Sequence, residues 1–308
     1  MTEHAISAHG VVKRFGDFKA VDGLNLEVPK GSIYGFLGPN GCGKSTTIRM
    51  LTGLLSPSEG QIEVLGMAIP KESEALRLKI GYMTQKFSLY DDLTVEENLE
   101  FIGLIYAMEP KPLTARIDEQ LETFGLTRLR KQRAGGMSGG QKQRLGLAAA
   151  TMHSPDLLFL DEPTSAVDPE NRREFWEQLF DLCDGGTTIL VTTHYMDEAE
   201  RCHGLAIMES GVVRASGSPE TLMNTMGVNV IEVQTDNLRQ LKEQLIALDE
   251  VRSAAQLGVR LRVLVDDGVA EPITWLQQQF PSLQLATLEK VRPSLEDVFV
   301  TCTGEGRQ

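Results

Sequence analysis

The 308-residue sequence has no apolar run of the roughly 20 residues needed to cross a bilayer. If the protein serves a membrane, the expectation is that it does so from the cytoplasmic side, through a partner. Its opening, "MTEHAISAHG", lacks the basic and apolar regions of a signal peptide. Cysteine is scarce. Cys42, Cys183, Cys202 and Cys302 form no C-x-x-C pair and have no neighbouring histidine of the metal-site kind. Reduced thiols in a cytosolic protein fit best, rather than a disulfide framework. Positive charge is in deficit: 30 Lys and Arg against 43 Asp and Glu give a net charge of −13. That argues against a nucleic-acid binder working through a broad basic face. The local basic patch "TRLRKQR", Thr127–Arg133, reads as a solvated loop, with a place beside a polyphosphate as the sharper alternative. Low-complexity tracts and internal repeats are not visible.

What is present is ordinary globular composition, 41% hydrophobic and 24% charged, at a length suited to about two domains. "AISAHGVVKRF" and "LNLEV" read as strands, and "GSIYGFL" as an apolar strand leading into a glycine-rich loop. "KSTTIRMLTGLL" has helical spacing at Ile48, Leu51 and Leu55. "GQIEVLG" and "KIGYMTQ" are further strands, and a mostly helical region runs from about Val95 to Phe124. A second glycine-rich stretch precedes the helical "QKQRLGLAAATMH". "DLLFLDEP" and "TTILVTTH" are continuously apolar strands on either side of a helix over Pro169–Leu182. Such strands alternating with helices predict an α/β fold with a parallel sheet covered on both faces. From Val228 the order becomes strand, helix, two strands, helix, strand and closing helix, an α+β unit of about 80 residues. No catalytic constellation shows there.

"GPNGCGKS" fits G-x-x-x-x-G-K-S. Gly38, Gly41 and Gly43 let the backbone wrap a phosphate where side chains would clash. Pro39, Asn40 and Cys42 lie between them. Lys44 carries positive charge to the β and γ phosphates, the Ser45 hydroxyl suits Mg²⁺, and Ser45 and Thr46 open a helix whose N-terminus attracts anions. "LLFLDE" ends a buried strand in two carboxylates. Asp161 suits a Mg²⁺ ligand, and Glu162 lies where it could polarise a water beside the γ phosphate.

With "MSGGQ" between these two motifs, the sequence resembles the ATP-binding subunits of ABC transporters from about Ala5 to Met226. The resemblance implies a P-loop ATPase domain over 1–226, with a helical subdomain at about 86–152, and a small α+β accessory domain over 227–308. It assigns Gln85 to the glutamine loop, with a contribution to Mg²⁺ and catalysis, "SAVD" with Asp168 to the D-loop, His194 to the γ-phosphate switch and Phe15 to adenine stacking. Met137 opens the signature and Val167 stands in the D-loop where the family usually has Leu, both mild changes. "PSLEDVFVTCTG", Pro293–Gly304, and "LTVEENLEFIG" are similar to drug- and antibiotic-export subunits.

The resemblance also explains the two glycine-rich helix starts. In the family, Ser138, Gly139, Gly140 and Gln141 of one chain cover the γ phosphate of ATP held by the other, the same anion site used twice. One chain carries two half-sites, and a head-to-tail homodimer completes two whole ones. The expected function is ATP hydrolysis powering a membrane exporter, peripheral on the inner face of the cell membrane. The region from Gln85 to about Tyr106 is expected to dock a helix of an integral permease. Two alternatives stand beside it: a soluble ABC ATPase acting on ribosomes or DNA, and a non-hydrolysing nucleotide switch. A single ATPase half and the acidic charge disfavour the first. Glu162 and His194 disfavour the second.

Overall fold

The computed structural model describes residues 3–165, 167–281, 283 and 286–303. Two compact units divide the chain, Met1–Val213 and Arg214–Gln308. In chain order the first contains β1 (His4–Phe15), β2 (Phe18–Pro29), β3 (Ile33–Leu37), α1 (Lys44–Leu51), β4 (Glu59–Val64), β5 (Met67–Ile69), α2 (Ser73–Arg77) and β6 (Ile80–Met83). There follow α3 (Val95–Ile105), α4 (Pro110–Thr123), α5 (Gly139–Ala150), β7 (Leu157–Asp161), α6 (Pro169–Asp184), β8 (Thr188–Thr193), α7 (Met196–Ala199), β9 (Gly204–Glu209) and β10 (Val212–Gly217).

One sheet is antiparallel, in the order β2-β1-β4-β5. The other has six strands in the order β10-β9-β3-β8-β7-β6, with parallel pairing of β6, β7, β8, β3 and β9. Every residue of β3, β7 and β8 is buried, as strands covered on both faces must be. The period-two alternation of a strand then sorts them. Leu158, Leu160, Ile189 and Val191 join the core beneath α5 and α6. Leu157, Phe159 and Leu190 join the core with Ile48 and Leu51 of α1. The same alternation carries Asp161 and Thr192 to the α1 side of the sheet.

The local boundaries have local causes. The helix expected through Leu55 ends at Leu51. Gly53 has φ 70° there, and a Cβ on it would strike the Ser73 side chain at 2.2 Å. The helical stretch expected from Val95 to Phe124 is broken by Ala107 at φ 54°, and Pro110 starts α4 at its first turn. α5 begins two residues before the expected Gln141, because Ser138 caps it. The sequence reading named none of β5, α2, α7, β9 or β10. β9 and β10 complete one edge of the six-stranded sheet.

The boundary between the units falls inside β10, and in the second unit α8 (Pro219–Asn224) packs on the closing helix. That packing puts the unit boundary upstream of Gly227. β11 (Val228–Gln234), α9 (Leu238–Ile246), β12 (Val251–Leu257), β13 (Arg260–Asp266), α10 (Pro272–Gln279) and β14 (Thr287–Val291) follow, then α11 (Leu295–Thr303). The antiparallel order β12-β13-β11-β14 with this β-α-β-β-α-β sequence is the ferredoxin-like split arrangement. Leu238, Leu241, Leu245 and Leu276 of its helices share one core with Ile231, Val233, Val263 and Val265 of its strands. Arg262 holds Asp297 of α11 through Nε and Nη2, at 2.8 and 2.7 Å. Gly304, the last residue of "PSLEDVFVTCTG", lies outside the described residues.

Candidate functional site

β3 ends in the loop that leads to α1. Gly38 and Gly43 are required there by space, and Gly43 also by its backbone. A Cβ on Gly38 would lie 2.3 Å from the Met208 carbonyl oxygen, and one on Gly43, at φ 109°, would lie 2.5 Å from that of Ala20. Within this loop Lys44 is almost fully buried, and its Nζ donates to the Gly38 and Pro39 carbonyls at 2.7 and 3.1 Å. The Cys42 N–H donates to the Pro39 carbonyl at 3.3 Å and closes the turn. Cys42 itself is buried, and burial pushes its thiol up while Lys44 pulls against that. Asn40, Gly41 and Ser45 are exposed, and Pro39, Gly43 and Thr46 are partly so.

The carboxylates face this loop from the end of β7. The parallel register sets Asp161 beside Thr192 of β8. The Thr192 hydroxyl donates to Asp161 Oδ1 and accepts from the Glu162 N–H, each at 2.8 Å. Glu162 takes a left-handed backbone, φ 46°, an uncommon conformation for a residue with a side chain. Its two oxygens collect the other predicted groups. Oε1 is 3.3 Å from Lys44 Nζ, and Oε2 accepts from Gln85 Nε2 at 3.1 Å. His194 Nδ1 lies 3.4 Å from the same Oε2 and has no hydrogen-bond partner of good geometry. Residues from three other segments therefore meet at one buried carboxylate. Sequence reasoning missed Thr192, one of three threonines in a strand otherwise made of Ile, Leu and Val.

The signature residues stand elsewhere. Ser138 and Gln141 form a capping box at the start of α5. The Ser138 hydroxyl accepts from the Gln141 N–H at 3.3 Å, and Gln141 Oε1 accepts from the Ser138 N–H at 2.9 Å. Gly139 is exposed, and a Cβ on Gly140 would strike the Asn171 side chain at 2.7 Å. Among the described residues, no hydrogen bond or ion pair joins Ser138, Gly139, Gly140 or Gln141 to the loop Gly38–Thr46. Met137 is buried in the core beneath α5. Asp168 caps α6, its carboxylate accepting from the Asn171 N–H at 3.1 Å and from Asn171 Nδ2 at 2.7 Å. Of "SAVD", Ala166 lies outside the described residues.

Phe15 is not core: it is 52% exposed at the tip of the β1–β2 hairpin, with the Lys13 ammonium 5.2 Å from its ring centre. In the basic patch, Arg130 is bound to Glu96 and Asp118, and Lys131 to Glu96, so these two cations are engaged within the chain. On the far side of Gln85 a cavity of about 580 Å³ opens between β6, α3 and α5. Phe87, Ile105, Tyr106, Lys142 and Gly146 line it together with Gln85.

The site is oxygen-rich. One oxygen of Asp161 is engaged by Thr192, and the amide nitrogen of Gln85 by Glu162. An oxygen remains on each, and with the exposed Ser45 hydroxyl these are donors of the hard kind that Mg²⁺ takes. Among the described residues, no cluster of three or more His, Cys, Asp or Glu side chains forms a metal cage. No helix there is long and apolar enough to cross a membrane.

Comparison with known proteins agrees with this geometry. The sequence profile of the family described as "ABC transporter" matches residues 21–165. The chain is 48% identical over 220 residues to the "Probable multidrug ABC transporter ATP-binding protein YbhF" of Escherichia coli (strain K12). That match covers 71% of this chain but spans only 38% of the relative's length. It is 39% identical over 311 residues to the "Nod factor export ATP-binding protein I" of Paraburkholderia xenovorans (strain LB400), covering 100% of both. Among solved structures, it is similar to a dimeric, post-hydrolysis ATP-binding cassette bound to ADP and Pi. The TM-score is 0.63 at 27% identity, covering 69% of this chain and 98% of that one.

Proposed function

The chain belongs to the ABC transporter family as an export-type ATP-binding subunit, and from that premise we propose that it hydrolyses Mg-ATP to drive a membrane exporter. The observation that carries the reading is the convergence of Lys44, Gln85 and His194 on Glu162. In the proposed reaction the γ phosphate enters the loop Gly38–Thr46, where Lys44 and the amides at the start of α1 meet its charge. Asn40, Gly41 and Ser45 line the open side of that loop. Phe15 stacks on the adenine. Ser45, Asp161 and Gln85 would hold Mg²⁺, which would supply positive charge against the phosphates.

Glu162 takes a proton from a water as its oxygen bonds to the γ phosphorus. The bond from that phosphorus to the bridging oxygen breaks, and ADP leaves with the electron pair. His194 contacts the γ phosphate. The protein's contribution is positioning and fixed charge.

The partner reading rests on the site being incomplete within one chain. Ser138, Gly139, Gly140 and Gln141 have no bond to their own phosphate loop, and the similar cassette bound to ADP and Pi is dimeric. A second copy, head to tail, supplies these groups to each ATP, and Asp168 lies in the segment between them. The groove beside Gln85 receives a helix of an integral permease. Gln85 supports this, because it lines the groove and also bonds to Glu162. The subunit works from the cytoplasmic face of the membrane.

Two measurements test the reading together. The purified chain with Mg-ATP should release phosphate steadily, and the tagged chain should retain an integral membrane protein from detergent-solubilised membranes. No phosphate release defeats the ATPase reading. Release without a membrane partner defeats the transport reading.

A further inference from the structure

Beside the switch histidine lies a carboxylate that the chemistry above leaves unused. Glu198 of α7 is 1% exposed, deeper than either carboxylate at the end of β7. Its Oε1 accepts from the Thr164 hydroxyl at 2.5 Å, and its Oε2 accepts from the Thr193 hydroxyl at 2.6 Å. Arg172 Nε, on the first turns of α6, is 3.4 Å from Oε1. Burial of a carboxylate is costly, and even a well-paired one is weak evidence for stability, since an apolar residue of similar size often does as well. What an apolar residue cannot do is hold two hydroxyls from different loops at fixed positions.

Each of those hydroxyls is next to a reacting group. Thr193 precedes His194, and its oxygen also accepts from the Tyr195 N–H at 3.0 Å, so one atom fixes both sides of the turn that carries His194. Thr164 is two residues beyond Glu162. It lies inside the tight turn in which the Ser165 N–H donates to the Glu162 carbonyl at 3.3 Å and the Val167 N–H to the Thr164 carbonyl at 3.2 Å. A run of contacts through a guanidinium and two tilted rings closes the arrangement from the other side. The Arg172 guanidinium lies 3.9 Å from the Tyr195 ring centre, and the Tyr195 and His194 rings are 4.2 Å apart.

We propose that Glu198 is a positioning residue for hydrolysis, fastening the Glu162 loop and the His194 loop to one carboxylate so that displacement of the segment running toward Asp168 is passed to His194. The inference rests on the ATPase reading above. It assigns Arg172 and Tyr195 the task of holding the His194 ring, and Thr164 the task of linking that ring to the segment that faces the second copy.

The test compares Thr164→Val, which keeps the shape and loses the hydroxyl, with Thr164→Ser, which keeps the hydroxyl, and with Glu198→Gln. Turnover, ATP dissociation constant and thermal midpoint are measured for each full-length chain. Thr164→Val and Glu198→Gln should each lower kcat about tenfold or more, the scale of a small misplacement at a reacting site. The ATP dissociation constant should stay within about threefold, and Thr164→Ser should recover most of the turnover. On a His194→Ala background, Thr164→Val should cost nothing further, because the group it positions is gone.

The inference is overturned if kcat is unchanged in Thr164→Val and Glu198→Gln. It is also overturned if their losses multiply fully with that of His194→Ala, or if kcat, affinity and thermal midpoint fall together and Thr164→Ser falls with them. A wild-type chain without turnover would overturn the ATPase reading itself. A nitrogen–proton spectrum of the imidazoles separates the two cases. Thr164→Val should move the His194 signals and leave those of His153 and His203 in place, and unmoved His194 signals end the positioning claim.

Discussion

Lys44 Nζ stands 3.3 Å from Glu162 Oε1, with both side chains almost wholly buried. The phosphate loop's cation and the proposed water-activating carboxylate are thus each other's counterion. In the proposed function, a nucleotide that brings its own negative charge to Lys44 would compete with Glu162 and release the carboxylate toward the water. Binding and readiness for chemistry would then be coupled through one ion pair.

Glu162→Gln keeps the shape and removes the charge. It should bind Mg-ATP at least as tightly as the wild type, because Lys44 no longer has an internal rival. Turnover should fall by about 10² or more, the scale of lost acid–base chemistry. The ATP-loaded variant should accumulate as a dimer, seen by gel filtration with and without ATP. Turnover near wild type removes Glu162 from its role.

Lys44→Ala leaves Glu162 buried with its cation gone. Breaking a buried pair from one side costs about 3–5 kcal/mol. Urea unfolding without nucleotide should show a loss of that order, and ATP affinity should be lost as well. Adding Glu162→Gln to Lys44→Ala should restore part of the stability, since no uncompensated charge remains. Equal stability of the single and double variants would mean that the 3.3 Å contact carries no energy.

Sequence made some of this legible and hid the rest, for a physical reason. The loop Gly38–Thr46 and the pair Asp161–Glu162 are runs of neighbours whose chemistry depends on local spacing, and the apolar strands before them set their place. Glu162 meeting Lys44, Gln85 and His194 depends on loops from different strands ending on the same side of one sheet. The resemblance to a family supplied the roles of Gln85 and His194, and local spacing alone did not. Thr192 and Glu198 were passed over because a threonine in a strand and a glutamate in a short acidic helix look like structure until their partners are seen. In the second unit the alternation of strands and helices was readable. The order β12-β13-β11-β14 was not, because register between distant strands is set by packing.

Glu96 gives a prediction in pH. Hydrogen bonds from Arg130, then Lys131, hold its carboxyl down to about 2 from an ordinary 4.5. A carboxyl lowered in the folded state stabilises the fold at pH above its unfolded value and loses that contribution as pH falls through the folded one. Glu96→Gln should therefore be less stable than the wild type at pH 7. The gap in urea midpoint should narrow steadily as pH drops below about 4.5 toward 2. A gap independent of pH would show that Glu96 acts by shape alone.

The last prediction concerns which copy supplies the signature. Cys42 and Met137 are poor reporters of it, because both are buried and burial raises the Cys42 thiol. Asn40 in the phosphate loop and Ser138 at the start of α5 are exposed, so a cysteine at each reaches a reagent. With Cys183, Cys202 and Cys302 changed to serine, the pair Asn40→Cys and Ser138→Cys should give a covalent dimer with a short bifunctional thiol reagent. A direct disulfide demands Cα atoms within about 7 Å and is the harsher test. Either variant alone should give little product, and the wild-type Cys42 background sets the blank. Glu162→Gln loaded with ATP should raise the yield of the doubly substituted chain, since its closed dimer persists. Ser138→Cys also removes the hydroxyl that caps α5, so circular dichroism of the single variant must first show the helix content unchanged. If the reagent instead links the two cysteines within one chain, leaving a faster-running monomer on a denaturing gel, both glycine-rich helix starts serve one ATP and the head-to-tail dimer is wrong.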